Sequence, residues 1–118
     1  MNSKELENRL ILFAVNIIDL VKSNDESYAG KHLSGQIIRS STSVPLNYGE
    51  AQSAESRKDF IHKMQLSLKE LRETYVNLRI IEKANLNIKM DRISTLISEN
   101  NELISIFVKS VETSKKRI

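Results

Sequence analysis

The chain has 118 residues, which is enough for one domain with its own hydrophobic core, and we treat residues 1–118 as a single domain. The absence of cysteine excludes disulfide bonds, thiolate metal sites and a cysteine nucleophile. Three glycines and one proline favour helices over a sheet, and the net charge of +3 permits an anionic partner without requiring one.

The first predicted element is a helix over about residues 4–22. Five apolar residues at alternating spacings of four and three form its seam: Leu6, Leu10, Phe13, Ile17 and Leu20. Four further apolar residues widen that stripe: Ile11, Ala14, Ile18 and Val21. A stripe of this width predicts burial on two sides of the helix.

The same segment argues against a membrane protein. Its apolar run, residues 10–21, is interrupted by Asn16 and Asp19 and is shorter than the ~20 residues that a spanning helix needs. The N-terminus also lacks the apolar core of a signal peptide. We therefore expect a soluble, cytoplasmic protein without a membrane partner.

The second predicted helix begins near residues 28–31 and passes through Tyr48, and it contains an unusual polar segment. Four hydroxyl residues, 40–43, are followed by Val44 and then by Pro45, which removes one backbone donor and crowds the preceding turn. We expect a kinked or broken helix at this point. The hydroxyls should bond to backbone carbonyls one turn earlier where a neighbouring helix crosses closely; the alternative is a hydroxyl-lined surface that contacts a ligand.

The second half of the chain predicts two more helices, over about residues 56–83 and 89–115, joined at residues 85–87. Ser56 is the expected N-cap of the third helix. Its seam is predicted at Ile61, Met64, Leu68, Leu71, Tyr75 and Leu78. The inner face of the fourth helix is predicted at Ile93, Leu96, Ile97, Asn100, Ile104, Phe107 and Val111. Four helices with short connections predict an all-α, up-down-up-down antiparallel four-helix bundle.

Some apolar residues fall outside the predicted seams. Leu66, Val76 and Ile80 lie off the main stripe of the third helix, and the first helix has its wide stripe. Exposed apolar strips of this kind mark partner surfaces. We therefore expect a homo-oligomer with closed symmetry.

No group of residues predicts an enzyme. Asp59 and His62 have the spacing of one half of a di-iron motif, but such a site needs that motif on two helices, so we expect no metal and no cofactor. Paired carboxylates can carry out acid–base chemistry, yet Glu50, Glu70 and Glu73 come without a nucleophile or a phosphate-binding loop. We expect them to form interhelical or intersubunit ion pairs with residues such as Arg39.

The strongest functional signal is basic. The candidate nucleic-acid-binding residues lie along the third helix: Arg57, Lys58, Lys63, Lys69, Arg72 and Arg79. In one monomer such a face is usually solvated and stabilised by pairs such as Lys69 with Glu73. In a ring its repeated copies could hold a phosphate backbone. Aromatic residues do not alternate with these cations, so shape-tolerant contact is expected rather than reading of a base sequence.

Residues 39–51, 54–64 and 68–74 closely resemble the bacterial four-helix bundle family known as the S23-type, or ribosomal RNA intervening-sequence, proteins. The resemblance covers nearly the whole chain. Its signature falls on Arg39, Ser43, Asn47, Glu50, Asp59, Phe60, His62, Lys63, Glu70 and Glu73. It implies an up-down four-helix bundle, a ring of five subunits, no enzymatic activity, and either a structural or an interface role for the signature residues.

Two functions follow as hypotheses. The first is a non-enzymatic, oligomeric scaffold that binds RNA or a nucleic-acid-handling protein through basic surfaces. The second is a protein-interaction ring that has no nucleic-acid ligand and whose charge serves only solubility.

Overall fold

The computed structural model describes residues 1–117 and contains four helices. They are α1 (Ser3–Val21), α2 (Tyr28–Gln52), α3 (Arg57–Lys83) and α4 (Met90–Lys116). The all-α prediction is confirmed, and the helix ends lie close to the predicted ones.

Short polar residues define where the helices start. The Ser56 hydroxyl accepts the backbone N–H of Asp59, which confirms the predicted N-cap of α3. The Asn2 side chain caps α1 in a reciprocal pair with Glu5. Ser27 caps α2 through the backbone N–H of Gly30.

The helices form an antiparallel bundle in which each helix packs against its neighbours in the chain and α1 also packs against α4. Among residues 1–117, α1 and α3 do not pack against each other, so they are diagonal. The first and third connections, the α1–α2 loop (residues 22–27) and the α3–α4 loop (residues 84–89), meet at the end of the bundle opposite the α2–α3 turn. There the backbone N–H of Asp25 donates to the carbonyl of Leu86 at 2.6 Å. We call this the double-loop end.

The core is continuous through all four helices and agrees with much of the predicted pattern. The predicted seam of α1 is fully enclosed, and the interior of α4 includes Phe107, which meets Tyr48 of α2 edge to face. Ile11 and Ile18, however, are 46% and 37% exposed, so within the monomer the wide stripe of α1 is buried on only one side. That prediction is corrected for the single chain.

The seams of α3 and α4 also differ from the predicted ones. Leu68 and Tyr75 are only half-buried, whereas Ser67 and Thr74 are fully enclosed between α3 and α2. In α4, Leu103 is fully buried although it was absent from the predicted set. The reason on α3 is that α2 presents a hydroxyl group to Thr74 and a backbone carbonyl to Ser67, so small polar side chains fit at this contact better than large apolar ones.

The hydroxyl segment of α2 forms this close crossing. Ser40 and Thr74 share a buried hydrogen bond of 2.8 Å, and the Ser67 hydroxyl donates to the carbonyl of Val44 at 3.0 Å. Thr42 donates back to the carbonyl of Ile38 at 2.7 Å, as predicted for this segment. The burial of the crossing hydroxyls disfavours the alternative of a ligand-contacting surface.

Pro45 does not break α2, so the broken-helix alternative is wrong, while the expected kink stays a prediction. The helix continues through Pro45 to Gln52 because the residues around it are held on both sides. Ser41 and Val44 are fully buried against neighbouring helices. Packing of this kind offsets the loss of one backbone donor.

Candidate nucleic-acid interface

The outward side of α3 is a continuous basic surface. Residues seven positions apart lie in one row along a packed helix. Two adjacent rows of α3 are exposed along their whole length: one begins at Lys58 and the other at His62. We define the basic face as these eight exposed residues: Lys58, His62, Gln65, Lys69, Arg72, Val76, Arg79 and Lys83. Five of them are Lys or Arg and none is acidic. At ~1.5 Å per residue the face extends for roughly 37 Å.

Two of the four carboxylates of α3, Glu70 and Glu73, form ion pairs with a residue of α2. The Arg39 guanidinium bonds to Glu70 at 2.7 Å and also contacts Glu73. The hydrogen bond to Glu70, with its charge, raises the pKa of Arg39 above its usual value. The predicted interhelical ion pairs are therefore present.

This arrangement changes the expected environment of Lys69. The predicted Lys69–Glu73 pair is wrong, because Glu73 is directed toward α2 by Arg39. Within residues 1–117, none of the five cations of the basic face forms a salt bridge. Of these five, only Arg79 makes a cation–π contact, with its guanidinium 5.7 Å from the ring centre of Tyr75.

The structure divides the six candidate binding residues. Lys58, Lys69, Arg72 and Arg79 share the basic face. Lys63 instead points toward α2 and pairs with Glu50 at 2.9 Å, a bond that raises the pKa of Lys63. Arg57 is exposed in the first turn of α3 but lies outside the two rows of the face.

Most of the remaining signature residues contact other parts of the protein. Ser43 donates to the carbonyl of Arg39 at 2.7 Å, and Asn47 donates to the carbonyl of Ser43 at 3.1 Å. Phe60 is half-buried and packs against the core. Among residues 1–117 no cluster of potential metal ligands includes Asp59 or His62.

A shallow groove of about 800 Å³ runs beside the basic face, between α2 and α3. Gln36 and Arg39 line it on one side, and Lys69 and Arg72 lie on the other. Val76, which belongs to the face, is 54% exposed. Glu73 also lines the groove, which therefore has a rim of mixed charge and a mainly apolar floor.

A second surface was only partly foreseen. Its exposed apolar residues lie on α1 and on the adjoining part of α2, and we call it the apolar face: Ile11, Leu12, Val15, Ile18 and Leu46. Leu12 and Val15 are 59% and 52% exposed. Leu12 and Val15 are three residues apart in the first apolar run, a spacing that places them on the same side of the helix and could have predicted this surface. A groove of about 510 Å³ lies between the two helices at this face.

The described part of the chain contains no helix with an apolar stretch long enough to cross a bilayer.

Comparison with known proteins comes from a family model and from solved structures. The model of the 23S rRNA-intervening sequence protein family matches residues 5–109. A similar solved structure is a protein with unknown function from the S23 ribosomal protein family of Bacteroides thetaiotaomicron VPI-5482. It is 28% identical, with a TM-score of 0.81, and the alignment covers 95% of this chain and 99% of that chain. No curated protein matches the sequence.

Proposed function

Because the chain belongs to the 23S rRNA-intervening sequence protein family, we propose that it is a non-enzymatic, homo-oligomeric scaffold that binds RNA through the basic face of α3. One observation carries this proposal: five exposed cations share a surface that has no carboxylate. In this proposal the protein acts in the cytoplasm, where ribosomal RNA is located.

The chemistry of the basic face suits a phosphate backbone. Each cation that replaces a condensed counterion gains free energy from ion release, and this gain falls as the salt concentration rises. Exposed Lys and Arg side chains that are not held by local carboxylates are available for such contacts. Arg39 forms ion pairs with Glu70 and Glu73. These ion pairs support the function, because they leave Lys69 and Arg72 without a carboxylate partner on α3.

The apolar face supports assembly from several copies. Five large aliphatic side chains exposed together are unfavourable in water, and covering them gains roughly 25 cal/mol for each Å² removed from solvent. The partner that we propose is a second copy of this chain. Since α1 and α3 are diagonal in the bundle, contact through α1 leaves the basic face open.

Assembly would strengthen weak RNA contacts. Several copies of a modest basic surface act on one RNA molecule at a high effective concentration. The family resemblance implies five subunits in a ring, and a ring requires two different contact patches on each subunit.

The second candidate function is a protein-interaction ring without nucleic acid, and Val76 and Ile80 favour it. They are 54% and 43% exposed on α3, away from the apolar face, so they could be the second patch that a ring needs. In that arrangement the cations of α3 would surround a protein interface.

The two functions are separated by charge reversal on α3. Lys69→Glu combined with Arg72→Glu should weaken RNA binding, measured by fluorescence anisotropy across a salt series, and should leave the subunit number unchanged. For single-stranded RNA, loss of two phosphate contacts should make the slope of log K against log salt shallower by about 1.4. The matched control is Lys109→Glu with Lys115→Glu, which makes the same charge change on exposed positions of α4.

The outcome distinguishes the candidates clearly. Equal loss of binding in the α3 and α4 variants would show that only net charge matters, and the basic face would not be the site. Dissociation of the assembly by Val76→Glu with Ile80→Glu, but not by Leu12→Glu with Val15→Glu, would support the protein-interaction ring instead.

A further inference from the structure

An aromatic pair on the surface of α2 has no role in the core. Tyr28 is the first residue of α2 and is 86% exposed. Its ring stacks on that of His32, with centroids 6.0 Å apart and planes inclined by 7°. By contrast, Phe13, Tyr48 and Phe107 are all buried in the core.

This pair lies at the same end of the molecule as the C-terminal part of the basic face. The Arg39–Glu73 contact fixes the alignment of α2 against α3. Tyr28 is eleven residues before Arg39, and Lys83 is ten residues after Glu73, so both lie roughly 15–17 Å from that contact, toward the double-loop end. Tyr28 and Lys83 are therefore level on neighbouring helices.

We infer that Tyr28, supported by His32, is a stacking platform for an unpaired base of single-stranded RNA whose flanking phosphates contact Lys83 and Arg79. This inference rests on the proposed function and specifies its substrate class. An aromatic ring offers a stacking surface to any base, and phosphates near the base need cations at the same level of the molecule. His32 lies beside the Tyr28 ring with a nearly parallel plane, and the large exposure of Tyr28 leaves its ring accessible to a base.

Duplex RNA does not fit this arrangement. Its bases are already stacked within the helix and cannot lie on a protein side chain without being unpaired. The platform therefore predicts a preference for single strands or loops, whereas the cations alone predict contact that tolerates either form. A structural role of the pair is also testable, since stacking between residues four apart stabilises a helix by only about 0.2–0.5 kcal/mol.

The test compares a polyuridine oligonucleotide of about 12 nucleotides with a blunt RNA duplex of similar length, a size within the usual range for single-strand sites. Tyr28→Ala should weaken binding of the single strand by about 5- to 150-fold, the loss expected for one stacked base, and should leave duplex binding unchanged. The matched control, Tyr28→Phe, keeps the ring and should bind the single strand like the wild type. Thermal unfolding followed by circular dichroism verifies that each variant is folded.

Fluorescence provides a second measurement. The chain contains three tyrosines and no tryptophan; Tyr48 is buried, and Tyr75 is half-buried beside Arg79. Quenching of tyrosine emission by the oligonucleotide should therefore be smaller in Tyr28→Phe than in the wild type although binding persists, and the difference is the contribution of Tyr28.

The results separate the two levels of the proposal. If the wild-type protein binds both RNA forms and Tyr28→Ala binds the single strand with the same affinity as the wild type, the stacking platform is wrong and the proposed function stands. Equal losses on single strand and duplex would also overturn the platform. A wild-type protein that binds neither RNA would refute the proposed function together with the platform.

Discussion

Replacement of Gly30 by alanine should be unusually damaging for a change of one methyl group. A Cβ at this position would lie 1.7 Å from the carbonyl oxygen of Asp25. The clash involves backbone rather than a flexible side chain, and the Asp25 backbone is tied to Leu86 by a 2.6 Å hydrogen bond. The α1–α2 loop therefore cannot move aside without losing its contact with the α3–α4 loop.

The magnitude follows from three effects. Overpacking costs about 1–3 kcal/mol, and weakening of the Ser27 cap costs about 1 kcal/mol. Alanine recovers about 0.5–1 kcal/mol of helix propensity, so the net loss of stability should be about 2 kcal/mol. For a domain of this size that corresponds to a fall in Tm of roughly 8 °C, which thermal unfolding by circular dichroism measures.

Gly35 provides the matched control within the same helix. No atom lies within 4 Å of a Cβ built there, so Gly35→Ala should gain up to about 1 kcal/mol and raise the Tm by a few degrees. Gly30→Ala as stable as the wild type would refute the packing of the double-loop end described above. A Gly35→Ala variant less stable than the wild type would refute the conclusion that a methyl group at residue 35 meets no neighbouring atom.

Three further predictions concern polar groups, and all are measured by urea unfolding. Arg39→Ala and Glu70→Ala should show a coupling energy of about 1 kcal/mol in a double-mutant cycle. The ion pair is stronger than an exposed pair because Glu70 is buried, but water weakens it because Arg39 is largely exposed. A coupling energy near zero would contradict this. Asn100→Leu should stabilise the protein by less than about 1 kcal/mol, since removal of a buried Oδ1 without a hydrogen-bond partner is partly offset by loss of the bond from Nδ2 to the carbonyl of Leu71, and a less stable variant would contradict this. Arg92 lowers the pKa of Asp19, so the stability that Asp19 contributes is present at neutral pH and is lost as the pH falls below about 4. Asp19→Asn should therefore be less stable than the wild type at pH 7 and equal to it at pH 2. An equal difference in stability at both pH values would contradict this.

Much of the fold could be predicted from apolar spacing and short capping motifs. The seam of α1 and the Ser56 cap follow from local rules that depend only on neighbouring residues. The seam of α3 could not be predicted in full, because Ser67 and Thr74 are buried by what α2 presents to them. Burial of a small polar residue depends on its partner helix, which the spacing of one helix does not contain.

The site shows the same division between local and tertiary information. The sequence shows that cations are concentrated on α3. It does not show which of them are free of ion pairs and which, like Lys63, are paired with a carboxylate of another helix. Lys63 and Lys69 are only six residues apart, yet Glu50 holds Lys63 while Arg39 removes Glu73 from Lys69. Both effects originate on α2. The aromatic pair was missed because Tyr28 is far from α3 in the chain and reaches the level of Lys83 only through antiparallel packing.

Native mass spectrometry of the protein purified at low salt, before and after ribonuclease treatment, detects whether an oligomer of this chain carries RNA. We expect a multimer with additional mass that ribonuclease removes, and loss of that mass in Lys69→Glu with Arg72→Glu while the multimer persists. A multimer of the same mass before and after treatment would contradict RNA binding, and a monomer would contradict assembly through the apolar face.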